Sequence, residues 1–68
     1  MKFTDIDFGQ LLAILEENDQ AFVDVDDYQL LSYNEEAGTA TYKLIFRDEI
    51  DWIVKLRRMD GVFVVTDC

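Results

Sequence analysis

The chain has no histidine, no proline and a single cysteine, Cys68, at its last position. Without histidine it cannot form Ser-His-Asp or Cys-His nucleophile systems, and one cysteine cannot build a structural zinc site. The three glycines, Gly9, Gly38 and Gly61, are isolated, so there is no glycine-rich phosphate-binding loop. These absences remove most catalytic machinery. We therefore expect a protein that is not an enzyme and that carries no cofactor.

Long hydrophobic runs are also absent. The longest apolar run has only a few residues, far fewer than a membrane span needs. The first residues, Met1–Asp5, lack the apolar segment of a signal peptide. A lone cysteine also forms no intramolecular disulfide, which is typical of a reducing compartment. We expect a cytoplasmic protein that does not contact a membrane.

The chain is short and rich in apolar residues. Its 68 residues predict a single domain, 1–68, and half of them are hydrophobic. This fraction excludes a disordered acidic tail. A core of this size holds a limited number of apolar side chains, so the surplus favours an interface with a protein partner or in a homodimer.

Negative charge is concentrated in the first half of the chain. Residues 1–36 contain ten carboxylates and one base, Lys2, whereas residues 37–68 contain five acids and five bases. The net charge of −9 therefore comes entirely from the first half. Because phosphate contacts supply most of the affinity for nucleic acids, this charge argues against direct nucleic-acid binding.

The first predicted element is a helix over about residues 7–18. Asp7 and Gln10 form an Asp-x-x-Gln capping box at its start. Apolar residues then follow at helical spacing, which predicts one buried face. They are Phe8, Leu11, Leu12 and Leu15.

Extended structure is predicted for the middle of the chain. Residues 21–25 indicate a short strand, and Asp26-Asp27 a turn or bulge. Residues 28–34 and 39–46 are predicted to be the two strands of a hairpin, the second with strict alternation. Gly38 in the loop 35–38 is available for a positive φ. Whether 21–25 and 28–34 form one strand or two stays open at this point.

The last third predicts a second helix over about 49–59, capped by Asp48 and ended by Gly61. Residues 62–65 are apolar on both faces, which is typical of a buried central strand. The predicted fold class is thus α+β, in the order α-β-β-β-α-β. We expect a mostly antiparallel sheet of three or four strands with two helices packed on one face.

Four carboxylates superficially match a calcium-binding loop: Asp24, Asp26, Asp27 and Glu35. The match fails because Gln29 stands where an EF-hand needs glycine, because Tyr28 replaces a ligand, and because the segment is predicted to be a strand. We therefore predict no metal site.

The acidic first half instead suggests mimicry of a nucleic acid. Duplex DNA carries one charge per roughly 1.7 Å of axis, so a mimic needs many acids over a short span. Tyrosines can add short-range contacts in such an interface. The candidate partner-binding residues are Glu16, Glu17, Asp19, Asp24, Asp26, Asp27, Tyr28, Tyr33, Glu35 and Glu36.

In size, acidity and lack of catalytic groups the chain resembles small acidic α+β proteins made by bacteriophages, such as anti-CRISPR proteins, uracil-DNA-glycosylase inhibitors and anti-restriction proteins. This resemblance implies a phage or mobile-element protein that inhibits a nucleic-acid-handling enzyme in the host cytoplasm, through an acidic surface that covers the enzyme's basic site. The alternative is a self-associating, dimeric structural or regulatory module with no inhibitory role.

Overall fold

The computed structural model describes residues 2–20, 24–48 and 50–67. Its four strands form one antiparallel sheet in the order β1-β2-β3-β4, preceded by a single α-helix. The α+β class and the antiparallel sheet are therefore confirmed. The elements are a 3-10 turn Phe3–Asp5, α1 Phe8–Glu17, β1 Val25–Asn34, β2 Thr39–Phe46, β3 Trp52–Met59 and β4 Val62–Asp67.

Helix α1 begins at the predicted capping box. The Asp7 carboxylate accepts a hydrogen bond from the Gln10 backbone N–H at 2.8 Å, and the Gln10 side chain accepts one from the Asp7 N–H at 2.9 Å. Two backbone donors that the helix leaves unpaired are thereby satisfied. Leu11 and Leu15 are buried, which confirms the predicted apolar face.

The core lies between α1 and one face of the sheet. Alternate residues of the two central strands point into it, because side chains of a strand alternate between faces. The opposite face of the sheet, which we call the open face, is not covered by any element of the described residues. The buried core residues are Phe3, Ile6, Leu11, Leu15, Ala40, Tyr42, Leu44, Val54 and Leu56.

The predicted hairpin between β1 and β2 is confirmed. Its loop spans residues 35–38, and Gly38 has the positive φ, +72°, for which glycine is suited. The register shifts between Val25 and Asp27, so Asp26 forms a bulge as expected. The strand predicted at 21–25 lies outside the described residues except for Asp24 and Val25, and Val25 begins β1.

The prediction of a second helix over 49–59 is wrong, because residues 52–59 form strand β3. Val54 and Leu56 point into the core, while Lys55 and Arg57 point to the open face. The alternation that defines a strand was hidden by apolar residues on the open face, such as Ile53, which fitted a helical spacing equally well. Asp48, the expected cap, lies in an exposed bend before the strand.

A two-residue turn, Asp60-Gly61, joins β3 to β4. Both residues have positive φ, 54° and 78°, as a type I′ turn requires. Gly61 thus serves a hairpin and does not end a helix. Strand β4 lies at the sheet edge and Val62 is 56% exposed, so the prediction of a buried central strand is also wrong.

The 3-10 turn is held to the sheet by a contact between Glu35 and Arg58. The Arg58 guanidinium donates to Glu35 Oε1 at 3.0 Å and lies 5.4 Å from the centre of the Phe3 ring. The other carboxylate oxygen of Glu35 accepts the Phe3 backbone N–H at 2.9 Å. One side chain of the β1–β2 loop therefore anchors both β3 and the segment before α1.

Candidate protein-binding surface

Three predicted site residues lie where α1 ends. Glu16, Glu17 and Asp19 are all exposed, and Asp19 adopts a left-handed φ of 60° just after the helix. The two glutamates sit beside the helix C-terminus, where the macrodipole disfavours negative charge. Within the part of the chain that the structure describes, no ion pair offsets these three charges.

A second acidic group lies where β1 begins. Asp24, Asp26 and Asp27 are exposed, and Asp26 contacts Arg47 at 3.6 Å. The bulge at Asp26 belongs to a shallow groove of about 440 Å³ beside the β2 terminus. Both partners in the Asp26–Arg47 pair are more than half exposed, so the pair offsets little of the charge. The groove is lined by Asp24, Val25, Asp26, Phe46, Arg47 and Asp48.

The acidic groove does not have the geometry of a metal site. Among residues 2–20, 24–48 and 50–67, no three acidic or cysteine side chains converge closely enough to hold a metal ion. The four carboxylates of the calcium-loop pattern are divided between the two ends of β1, which separates Asp24 from Glu35 by about 30 Å of strand.

The last two predicted acids lie apart from the others, in the β1–β2 loop. Glu36 is exposed, whereas Glu35 is half-buried in its contacts with Arg58 and Phe3. The structure therefore brings together the acids at the start of β1 and leaves the loop acids at the opposite end of that strand.

The two predicted tyrosines have different environments. Tyr28 is half-buried and stacks on Phe8 with ring centres 5.4 Å apart, so it joins α1 to β1. Tyr33 is 51% exposed near the other end of β1 and can contact a partner. Tyr42, which was not a predicted site residue, is fully buried, and burial together with nearby Tyr28 and Glu35 raises its pKa to about 12.

Three basic residues that were not among the predicted site residues lie on the open face. Lys43, Lys55 and Arg57 lie on this face, since the residues between them along β2 and β3 are buried on the other. Lys43 contacts Asp51 at 3.8 Å. The incorrect helix prediction obscured this arrangement. Residues two positions apart share a face in a strand but not in a helix, so only the strand places Lys55 and Arg57 on one face.

Comparison of the chain with protein-family models, curated proteins and solved structures found no match. None of the helices in the described residues is both long and apolar enough to cross a membrane. The functional interpretation therefore depends on the surface itself.

Proposed function

We propose that the protein is a non-enzymatic inhibitor, of the kind that bacteriophages and mobile elements encode, which binds the basic site of a nucleic-acid-handling protein. Its main support is the uneven charge: ten carboxylates and one base within residues 1–36. A surface of this kind attracts a basic groove over long range and speeds association.

The acids between Glu16 and Asp27 are the contact surface in this proposal. The acids after α1 and those at the start of β1 are exposed, and Asp24 follows Asp19 by five positions in the chain. Five residues extend at most about 18 Å, so the two groups can face one partner. Glu35 contributes to the fold in this proposal and not to the contact.

The test replaces three acids at the start of β1 by amides: Asp24→Asn, Asp26→Asn and Asp27→Asn. Asparagine keeps the shape and tolerates the left-handed φ of 63° at Asp24. The matched control makes the same change at three acids of the second half, Asp51, Asp60 and Asp67, where asparagine also suits the left-handed φ of Asp60.

The proteins are immobilised and exposed to bacterial lysate at low and at high salt, and captured proteins are identified by mass spectrometry. A captured nucleic-acid-handling protein is then purified, and its nucleic-acid affinity is measured with and without this chain. We expect capture at low salt only, competition with nucleic acid, and affinity roughly tenfold weaker for the first variant than for the control. Equal affinity of both variants, or capture without competition, would refute the proposal.

A further inference from the structure

The two edges of the sheet are covered to different extents. The outer strands, β1 and β4, each have one row of backbone N–H and C=O groups that faces away from the sheet. At β4 the Asn18 side chain bonds two groups of this row, the Phe63 C=O and the Val65 N–H. At β1 the comparable bond within the described residues joins the Tyr28 N–H to the adjacent Asp27 carboxylate at 2.8 Å. Beyond Tyr28, the described residues leave the β1 edge open.

The hydrogen bonds of the hairpin identify the backbone groups on this edge. The Gly38 C=O accepts the N–H of Arg58 in β3 at 2.7 Å. Because backbone directions alternate along a strand, the even-numbered residues of β2 face β3 and the odd-numbered ones face β1. Gln29 is paired with an odd-numbered residue of β2, so its backbone groups face that strand. The N–H and C=O groups of its neighbours, Tyr28 and Leu30, therefore point outward.

A groove of about 390 Å³ runs along the same edge. Tyr28, Gln29 and Leu30 line one side of it. Because successive side chains of a strand alternate between faces, a groove that touches all three follows the β1 backbone itself. The segment of the 3-10 turn lines the other side with Thr4 and Ile6. The lining residues are mainly apolar or aromatic, so the groove suits an apolar side chain.

The segments that form the groove are acidic. Residues 3–8 and 25–34 contain two aspartates each and no base. Three bases border these segments, namely Lys2, Lys43 and Arg47, and the last two each contact an aspartate, at 3.8 and 3.6 Å. With these bases and their partners included, five acids still face three bases. The local charge is therefore negative and favours a basic occupant.

We propose that a basic, extended segment of the partner protein pairs with β1 as a fifth, antiparallel strand. Opposite residues of an antiparallel pair share a face. Partner residues opposite Tyr28 and Leu30 therefore direct apolar side chains into the groove and their N–H and C=O groups to β1. The residues between them carry the basic side chains. In such contacts the main-chain bonds supply affinity, and the pockets for alternate side chains supply specificity.

Two irregularities of β1 limit the length of the added strand. The register shifts at Asp26 and again between Leu30 and Ser32, so regular pairing covers residues 27–30. A short segment is therefore sufficient. The inference deepens the proposed function, because it names how the partner binds, and it rests on that function for the basic character of the partner.

The probe is a short peptide, capped at both ends, in which arginine and valine alternate. Two matched controls carry backbone N-methyl groups, one on every valine and the other on every arginine, so charge and side chains stay the same. In the proposed contact the valine N–H groups face β1 and the arginine N–H groups face solvent. Methylation of the valines should weaken binding at least about tenfold, because each methyl group removes a hydrogen bond to β1. Methylation of the arginines should leave the affinity unchanged.

Amide hydrogen exchange locates the contact. In the free chain the outward N–H of Leu30 should exchange faster than the N–H of Gln29, which faces β2. Saturation with the unmethylated peptide should slow exchange at Leu30 at least about tenfold. The Val65 N–H on the opposite edge is the internal control and should not change.

The variant with Asp24→Asn, Asp26→Asn and Asp27→Asn separates strand pairing from charge. It should bind all three peptides more weakly and should still prefer the peptide with methylated arginines. Equal binding of the two methylated peptides to the natural chain would overturn strand pairing and leave the charge-based function standing. A clear preference, in a chain that captures no nucleic-acid-handling protein, would support strand pairing and refute that function.

Three further results would overturn the proposal. The first is failure of the unmethylated peptide to bind, and the second is exchange at Leu30 that the peptide does not slow. The third is protection of Leu30 that increases with the concentration of the chain alone, because this would assign the β1 edge to a second copy.

Discussion

At the scale of single residues, carboxylates of the same acidic segment have different roles. Glu35 accepts hydrogen bonds from Arg58 and from the Phe3 backbone, so removing it would leave a half-buried guanidinium without this carboxylate. Glu36, its neighbour, is exposed. No local pattern connects Glu35 with Arg58, which lies 23 positions away. The number of charges follows from the sequence, but the sequence does not show which acids make contacts that stabilise the fold.

Tyr42 gives stability a specific dependence on alkaline pH. Its hydroxyl is buried and donates to the Phe3 carbonyl at 3.3 Å, and its pKa rises from 10.0 to about 12. The folded state therefore holds this proton more tightly than the unfolded state. The corresponding stabilisation is complete below pH 10 and is lost between pH 10 and 12, at about 3 kcal/mol in total.

Urea denaturation across this pH range, for the natural chain and for Tyr42→Phe, measures the effect. The variant should be about 1 kcal/mol less stable at neutral pH, because it lacks the hydrogen bond. The stability difference between the two proteins should then shrink or reverse above pH 10. A constant difference would show that Tyr42 does not titrate as described.

At the scale of elements, the sequence predicted local structure where two signals agreed. The capping box and the leucine spacing both indicated α1, and alternation together with Gly38 indicated the β1–β2 hairpin. The apolar residues of 52–59 fitted both a helical and a strand spacing, and the sequence Asp60-Gly61 after them favoured the strand. Aspartate followed by glycine between apolar runs is a strong hairpin signal. This signal was read only as a helix end, because Gly61 also fitted that role.

The free edge of β4 is covered by one side chain of the helix terminus. The Asn18 amide nitrogen donates to the Phe63 carbonyl at 3.2 Å, and its oxygen accepts the Val65 N–H at 3.4 Å. A carbonyl and the N–H two residues later point to the same edge, so this amide binds β4 as a neighbouring strand would. It also donates to the Ile14 carbonyl at 2.8 Å, which ties α1 to the sheet.

We expect Asn18→Ala to lower the free energy of unfolding by about 1–3 kcal/mol, because it leaves these part-buried groups without their partner. Hydrogen exchange at the Val65 amide should accelerate more than at residues in the middle of β2. Asn34→Ala is a suitable control, since it removes only the local hydrogen bond to the Ala37 N–H. If both variants lose equal stability and leave Val65 protected, the proposed role of Asn18 is incorrect.

At the scale of the whole molecule, the fold groups charges that lie far apart in the sequence, since Asp27 shares the open face with Lys43 and Lys55. Glu16 and Glu17 lie on the outer face of α1, whereas Lys55 and Arg57 lie on the open face of the sheet. Composition predicted an acidic protein with excess apolar surface. Alternation along β3 places Lys55 and Arg57 on one face, but their position beside Lys43 depends on strand register, which long-range pairing determines.

The net charge of −9 also predicts how salt affects stability. Repulsion among the acids destabilises the compact state, and salt screens it, with a Debye length of about 10 Å at 0.1 M. Salt also weakens the ion pairs, but a solvent-exposed pair such as Asp26–Arg47 contributes only about 0–1 kcal/mol. Relief of repulsion should therefore dominate, and the melting temperature should rise as sodium chloride is added to a dilute sample. Glu16→Lys with Glu17→Lys should show a smaller rise, because less repulsion remains to be screened. A melting temperature that falls with salt would mean that ion pairing outweighs repulsion in this fold.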